Sequence, residues 1–290
     1  MSEKIYNTLI DCAALDAGLA NPHYCDFSVF DCRHPLADPA AGERAYLAGH
    51  LPGAHFLHLD RDLAGMTNGH NGRHPLPDPQ QLAQTLAAKG VSQQTQVIAY
   101  DDAGGMVASR LWWLLRWLGH ESVAVLDGGF KQWCAAGYRV STTLPAPIQG
   151  NFSARMELGT RLVGTVNVEA IMAHLQHPQY CLIDARSAER FRGENETLDP
   201  VGGHIPGALN RFFQDNLQAD SRFHAAAKLR ADFLALLAGA APEQVVMQCG
   251  SGVSACHNLL AMEHAGLTGA KLYPGSWSEW CSDPARPTVR

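Results

Sequence analysis

The sequence predicts an α/β fold of two tandem domains, each a mostly parallel central sheet with helices on both faces. Three observations lead there. Short β-branched runs alternate with helical stretches, the order of these signals occurs twice, and the helical stretches end at or near a glycine that can cap them. In the first half "FSVFD", "QVIAYD" and "VAVLDGG" read as strands, and in the second "YCLIDA", "VVMQC" and "KLYPG". Between them "QLAQTLAAKG", "VASRLWWLLRWLG", "LRADFLALLAGA" and "VSACHNLLAMEHAG" read as helices.

The duplication is specific. Asp31 and Arg33 match Asp184 and Arg186, "GHLPGA" (49–54) matches "GHIPGA" (203–208), and "LDGGFKQW" (126–133) matches "LYPGSWSEW" (272–280). The stretch "VSTTLPAPIQGNFSARMELG" lacks a sustained period and carries prolines, so the boundary is placed near residue 150, dividing the chain into 1–150 and 151–290.

At 290 residues, 46% hydrophobic and 17% charged, the chain can bury a large core. A net charge of -6 without a basic run argues against nucleic acid or an anionic membrane as a partner. Glu3, Asp11 and Asp16 interrupt the apolar residues at the start, which is unlike a secretory leader or a membrane span. Eight cysteines with no CxxC pair suit a reducing compartment, and the expectation is a cytoplasmic protein with free thiols.

One cysteine stands apart. Cys249 ends the strand "VVMQC" and precedes Gly250, Ser251, Gly252, Val253, Ser254 and a helix. Glycines there let backbone N–H groups turn inward, and the helix start adds the positive end of its dipole, so the loop forms an anion nest that stabilises a thiolate. The corresponding strand end in the first half carries Asp101, so only the second half is equipped for thiol chemistry. The site is expected where the halves face each other, at the C-terminal ends of parallel strands. Cys12, Cys25, Cys32, Cys134, Cys181, Cys256 and Cys281 lack such a setting and read as ordinary thiols. Cys256 and His257 offer no second ligand pair for zinc. A phosphatase of the Cys-x5-Arg type would need arginine where Ala255 stands.

The tandem halves, the two "GH[LI]PGA" segments, "CGSGVSA" and the tail "GSWSEWCSDPARPTV" resemble the rhodanese superfamily, most closely its 3-mercaptopyruvate sulfurtransferases, over about residues 5–285. The resemblance implies that Cys249 takes a sulfur atom as a persulfide and passes it to a thiophilic acceptor, cyanide or a thiol such as that of thioredoxin. It also implies a Ser-His-Asp relay of Ser251, His74 and Asp60, with His70 the competing histidine. Relatives that use thiosulfate carry a cationic pair just after the cysteine, where this chain has the neutral Gly250 and Ser251. A monoanionic keto acid is therefore the expected donor and thiosulfate the rival, and a non-catalytic binding module is the reading from another class. The donor's carboxylate calls for a guanidinium, and Arg186, Arg190 and Arg192 are the candidates, Arg186 first. No metal or organic cofactor is implied.

Overall fold

The computed structural model describes residues 5–20, 27–157 and 162–290; Cys25 lies outside them. The chain divides into two compact units, Met1–Leu63 with Pro77–Leu162 and Ala219–Phe223, and Ala64–Leu76 with Val163–Gln218 and His224–Arg290. The unit holding Cys249 thus includes a segment from early in the chain.

The first unit is built on β1 (Leu9–Ile10), β2 (Phe27–Asp31), β3 (His55–Phe56), β4 (Gln96–Tyr100) and β5 (Val123–Leu126), in the order β1-β5-β4-β2-β3. The second uses β6 (Gly164–Thr165), β7 (Cys181–Asp184), β8 (Leu209–Asn210), β9 (Val245–Gln248) and β10 (Lys271–Leu272), in the order β6-β10-β9-β7-β8. Every ladder is parallel and the two orders are equivalent, which is the internal duplication in three dimensions. β4, β5 and β9 are buried at every position, as strands covered on both faces must be.

Six of the ten strands coincide with the apolar runs legible in the sequence. β1, β3, β6 and β8 have two residues each, too few to display an alternating pattern. The expected helices form over Pro79–Ala87, Ala108–Trp117, Ala226–Leu237 and Ser254–His264. Gly90, Gly119, Gly239 and Gly266 follow them with φ of 89°, 82°, 97° and 70°, the left-handed conformation that ends a helix. Ile10, Leu15, Val29, Ile98 and Trp133 centre the core of the first unit, and Ile171, Leu182, Val246, Trp277 and Trp280 that of the second. Among the described residues no helix is long and apolar enough to cross a membrane.

The repeated Asp-x-Arg and Gly-His signals form the same staple twice. Arg33 donates from Nε and Nη2 to Asp31 and from Nη2 to the carbonyl of Gly49 at 2.7 Å. Arg186 repeats this with Asp184 and with the carbonyl of Gly203, also at 2.7 Å. Each guanidinium is covered by an aromatic ring from the equivalent place, Phe130 in the first unit and Trp277 in the second.

Candidate active site

β9 delivers Cys249 at its C-terminal end, where the thiol is buried with 2% of its surface exposed. The loop that follows is fastened to the chain's last helix. The Cys249 N–H donates to Ser276 Oγ at 3.1 Å, its carbonyl accepts from the Trp277 N–H, and the Gly250 carbonyl accepts from the Ser278 N–H, both at 2.9 Å. Ser276 is one of three non-glycine residues with positive φ among those described, at 54°, and from that strained position it both receives the Cys249 N–H and donates to the Tyr273 carbonyl. Two of these three tethers join backbone groups, and the third runs through the Ser276 hydroxyl.

The Gly252 N–H donates to Cys249 Sγ at 3.1 Å. Only glycine suits this position, because φ is 77° and a Cβ would lie 2.4 Å from the Pro274 carbonyl oxygen. The next residue, Val253, is buried, and Ser254 begins the helix Ser254–His264, whose N-terminal end faces the loop it continues.

The first unit shows what this strand–loop–helix arrangement does with an anion. At the end of β4 the Asp101 carboxylate accepts four backbone N–H groups, from Ala103 and Gly105 on Oδ1 and from Val107 and Ala108 on Oδ2, at 2.8 to 2.9 Å. Burial pushes the Asp101 carboxyl above its ordinary value, against the pull of those four bonds. The nest in the first unit is therefore filled by the chain's own carboxylate. In the second unit the corresponding position holds a sulfur instead.

Opposite the Cys249 loop lies the segment Ala64–Leu76. His74 Nδ1 is 2.7 Å from Ser251 Oγ, and both residues are buried. His70 is exposed, with its N–H donating to Asn68 Oδ1 in a surface turn. Of the two histidines raised by the sequence, His74 is the one that meets the loop. Asp60 belongs to the other unit, where its carboxylate lies 3.7 Å from His34 Nε2 and 3.9 Å from His58 Nδ1. These three groups lie within 4.8 Å of one another, but His58 Nδ1 already accepts the Asp60 N–H at 3.1 Å, which occupies the lone pair a metal would need.

The three arginines separate. Arg186, expected as the leading substrate cation, is employed in the staple to Asp184, adds a bond from Nη1 to Glu196, and duplicates Arg33 of a unit whose β4 ends on Asp101 where β9 ends on Cys249. Arg192 is exposed and paired with Glu194. Arg190 reaches the loop, its Nη2 3.4 Å from where a Cβ on Gly250 would sit, and Arg186 is near enough to Cys249 to interact with its charge. Sequence reasoning missed Arg73, whose Nη2 would be 2.8 Å from the same point and whose Nη1 is ion-paired with Asp199. The only local signal for Arg73 is its place before His74. Cys249, Gly250, Ser251, Gly252, His74, Arg73 and Arg190 are thereby gathered in one place.

The model of the rhodanese-like domain matches residues 13–136 and again 167–283. The chain belongs to the rhodanese-like family. A protein of Pseudomonas aeruginosa named "Probable 3-mercaptopyruvate sulfurtransferase" is 46% identical over 97% of each chain. The bovine thiosulfate sulfurtransferase is 33% identical over 82% of this chain and 79% of its own. Among solved structures, the 3-mercaptopyruvate sulfurtransferase of Leishmania major superposes with a TM-score of 0.81 at 29% identity, covering 97% of this chain and 75% of its own. Two rhodanese-like domains in tandem therefore account for both five-stranded sheets.

Proposed function

We propose that this rhodanese-like chain takes the thiol sulfur of 3-mercaptopyruvate, holds it as the sulfane sulfur of a persulfide on Cys249, and passes it to a thiophilic acceptor. The chain is a sulfurtransferase, as its curated relatives are. The observation that carries the rest is the thiol at the end of β9 receiving the Gly252 N–H, with Ser251, paired to His74, two residues along the chain from Cys249.

The Cys249 thiolate attacks the sulfur of the donor. A sulfur–sulfur bond forms, the donor's carbon–sulfur bond breaks, and its electron pair leaves as the enolate of pyruvate. The proton carried by the donor's thiol ends on that enolate carbon, giving pyruvate and a persulfide anion, so atoms and charge balance. Loop N–H groups stabilise charge on sulfur and on the enolate oxygen, and Ser251 hydrogen-bonded to His74 supplies a polarisable hydroxyl beside them. Asp60 is proposed as the third member of that relay from the family resemblance alone. Arg190 and Arg73 receive the donor's carboxylate, in preference to Arg186 and Arg192, because they flank Gly250. Cyanide or a thiol, such as that of thioredoxin, then accepts the outer sulfur. The seven described cysteines are all free, which supports a reducing, cytoplasmic setting.

Thiosulfate is the second donor to consider, because two guanidiniums beside the loop suit an anion of higher charge. The deciding experiment is brief exposure to 3-mercaptopyruvate without acceptor, followed by intact mass measurement. A gain of one sulfur atom, discharged by cyanide, is expected. An unchanged mass refutes the reading.

A further inference from the structure

Two cations and two anions of the second unit meet at Gly250. Arg73 and Arg190 point Nη groups at it, with side-chain exposures of 32% and 21%, while the Glu196 and Asp199 behind them are 3% exposed. Glu196 accepts from Arg190 Nε and Nη2 at 3.0 and 2.8 Å, and its backbone neighbours Leu198 and Asp199 donate N–H groups to it. Asp199 is ion-paired with Arg73, and its Oδ2 accepts from Arg190 Nη2 at 3.3 Å. Arg186 pairs with Asp184 and also reaches Glu196 from Nη1 at 3.3 Å, so this pair joins the cluster and adds one charge of each sign. The cluster at the mouth of the loop is thereby balanced, three positive charges against three negative.

We propose that Asp199 sets which sulfur donor the site accepts, by compensating Arg73 beside Gly250 so that a monoanionic keto acid is admitted and the dianion thiosulfate is penalised. The inference rests on the sulfurtransferase reading above. Charge is the physical reason. In a given potential a dianion has twice the interaction energy of a monoanion, so a single buried carboxylate beside the guanidinium that meets the donor weighs about twice as heavily against thiosulfate. A side chain on residue 250 would itself meet Arg73, so the loop's own neutrality and the cations beside it belong to one arrangement. Asp199 touches no reacting atom in this scheme and acts through Arg73 as a positioning residue.

The test is kcat/KM for 3-mercaptopyruvate and for thiosulfate, with cyanide as acceptor, in the wild type and in Asp199→Asn, Asp199→Glu and Arg73→Gln, with a thermal midpoint for each. Asp199→Asn keeps the shape and removes the charge. It is expected to raise the thiosulfate-to-mercaptopyruvate ratio about tenfold or more. Asp199→Glu should hold the wild-type ratio, and Arg73→Gln should move it the opposite way. A folded Asp199→Asn variant whose ratio is unchanged, or in which both donors lose equally, overturns the inference, since a purely structural tie would act on both donors alike. Should Asp199→Asn fail to fold, Arg73→Gln decides: an unmoved ratio there also overturns it. A wild type that gains no sulfur from either donor would instead sink the sulfurtransferase reading itself.

Discussion

His74 Nδ1 lies 2.7 Å from Ser251 Oγ, joining residues 177 positions apart at the side of the Cys249 loop. The pair is buried, so its hydrogen bond is not in competition with bulk water. If it polarises the donor's carbonyl, Ser251→Ala should lower kcat/KM for 3-mercaptopyruvate by about 10- to 100-fold and spare thiosulfate, which has no carbonyl. Equal losses with both donors would remove the relay role.

Cys249 Sγ receives a backbone N–H from its own loop, that of Gly252. Cys249→Ser should abolish sulfur uptake in the mass experiment while circular dichroism and the thermal midpoint stay close to wild type, since the substitution is small and the loop is held by Ser276, Trp277 and Ser278. Residual turnover would place the chemistry elsewhere.

The two staples should behave as structure. Removing Arg33 leaves Asp31 buried without its cation, and removing Arg186 does the same to Asp184, each at about 3 to 5 kcal/mol. Arg33→Ala is expected to lower the midpoint in denaturant. Arg186→Ala should do so by a similar amount, and a raised KM without loss of stability would return Arg186 to the substrate site.

Asp101 fills the nest of the first unit. Asp101→Ala strands four buried N–H groups and should cost about 3 kcal/mol or more of stability, while sulfur uptake at Cys249 persists in the folded fraction. A neutral effect on stability would show that those bonds are replaced by water.

Acid should weaken the fold. Burial lowers the folded-state values of His34, His55, His120, His174 and His264 from 6.5, so the unfolded chain binds more protons than the folded one on the acid side. Stability then rises with pH up to about the unfolded value and is lost as pH falls through it. The thermal midpoint is expected to drop between about pH 7 and pH 5. A flat profile across that window would contradict the burial of these rings.

What the sequence determined by itself was everything written in local pattern: the alternation of strand and helix, the duplication, the glycine-ended helices, and Cys249 in a glycine loop at a strand end where its counterpart is Asp101. Those signals are local because strand burial, helix capping and loop dihedrals act over a few residues. Only the tertiary structure decided which charged side chains meet the loop. Arg186, the first choice by motif, is held by Asp184, while Arg73 and His74 come from a segment that packs in the unit of Cys249 despite its distance along the chain. The loop that reads as neutral has two guanidiniums beside it, because electrostatic neighbours are set by convergence in space, which leaves no period or spacing in the chain.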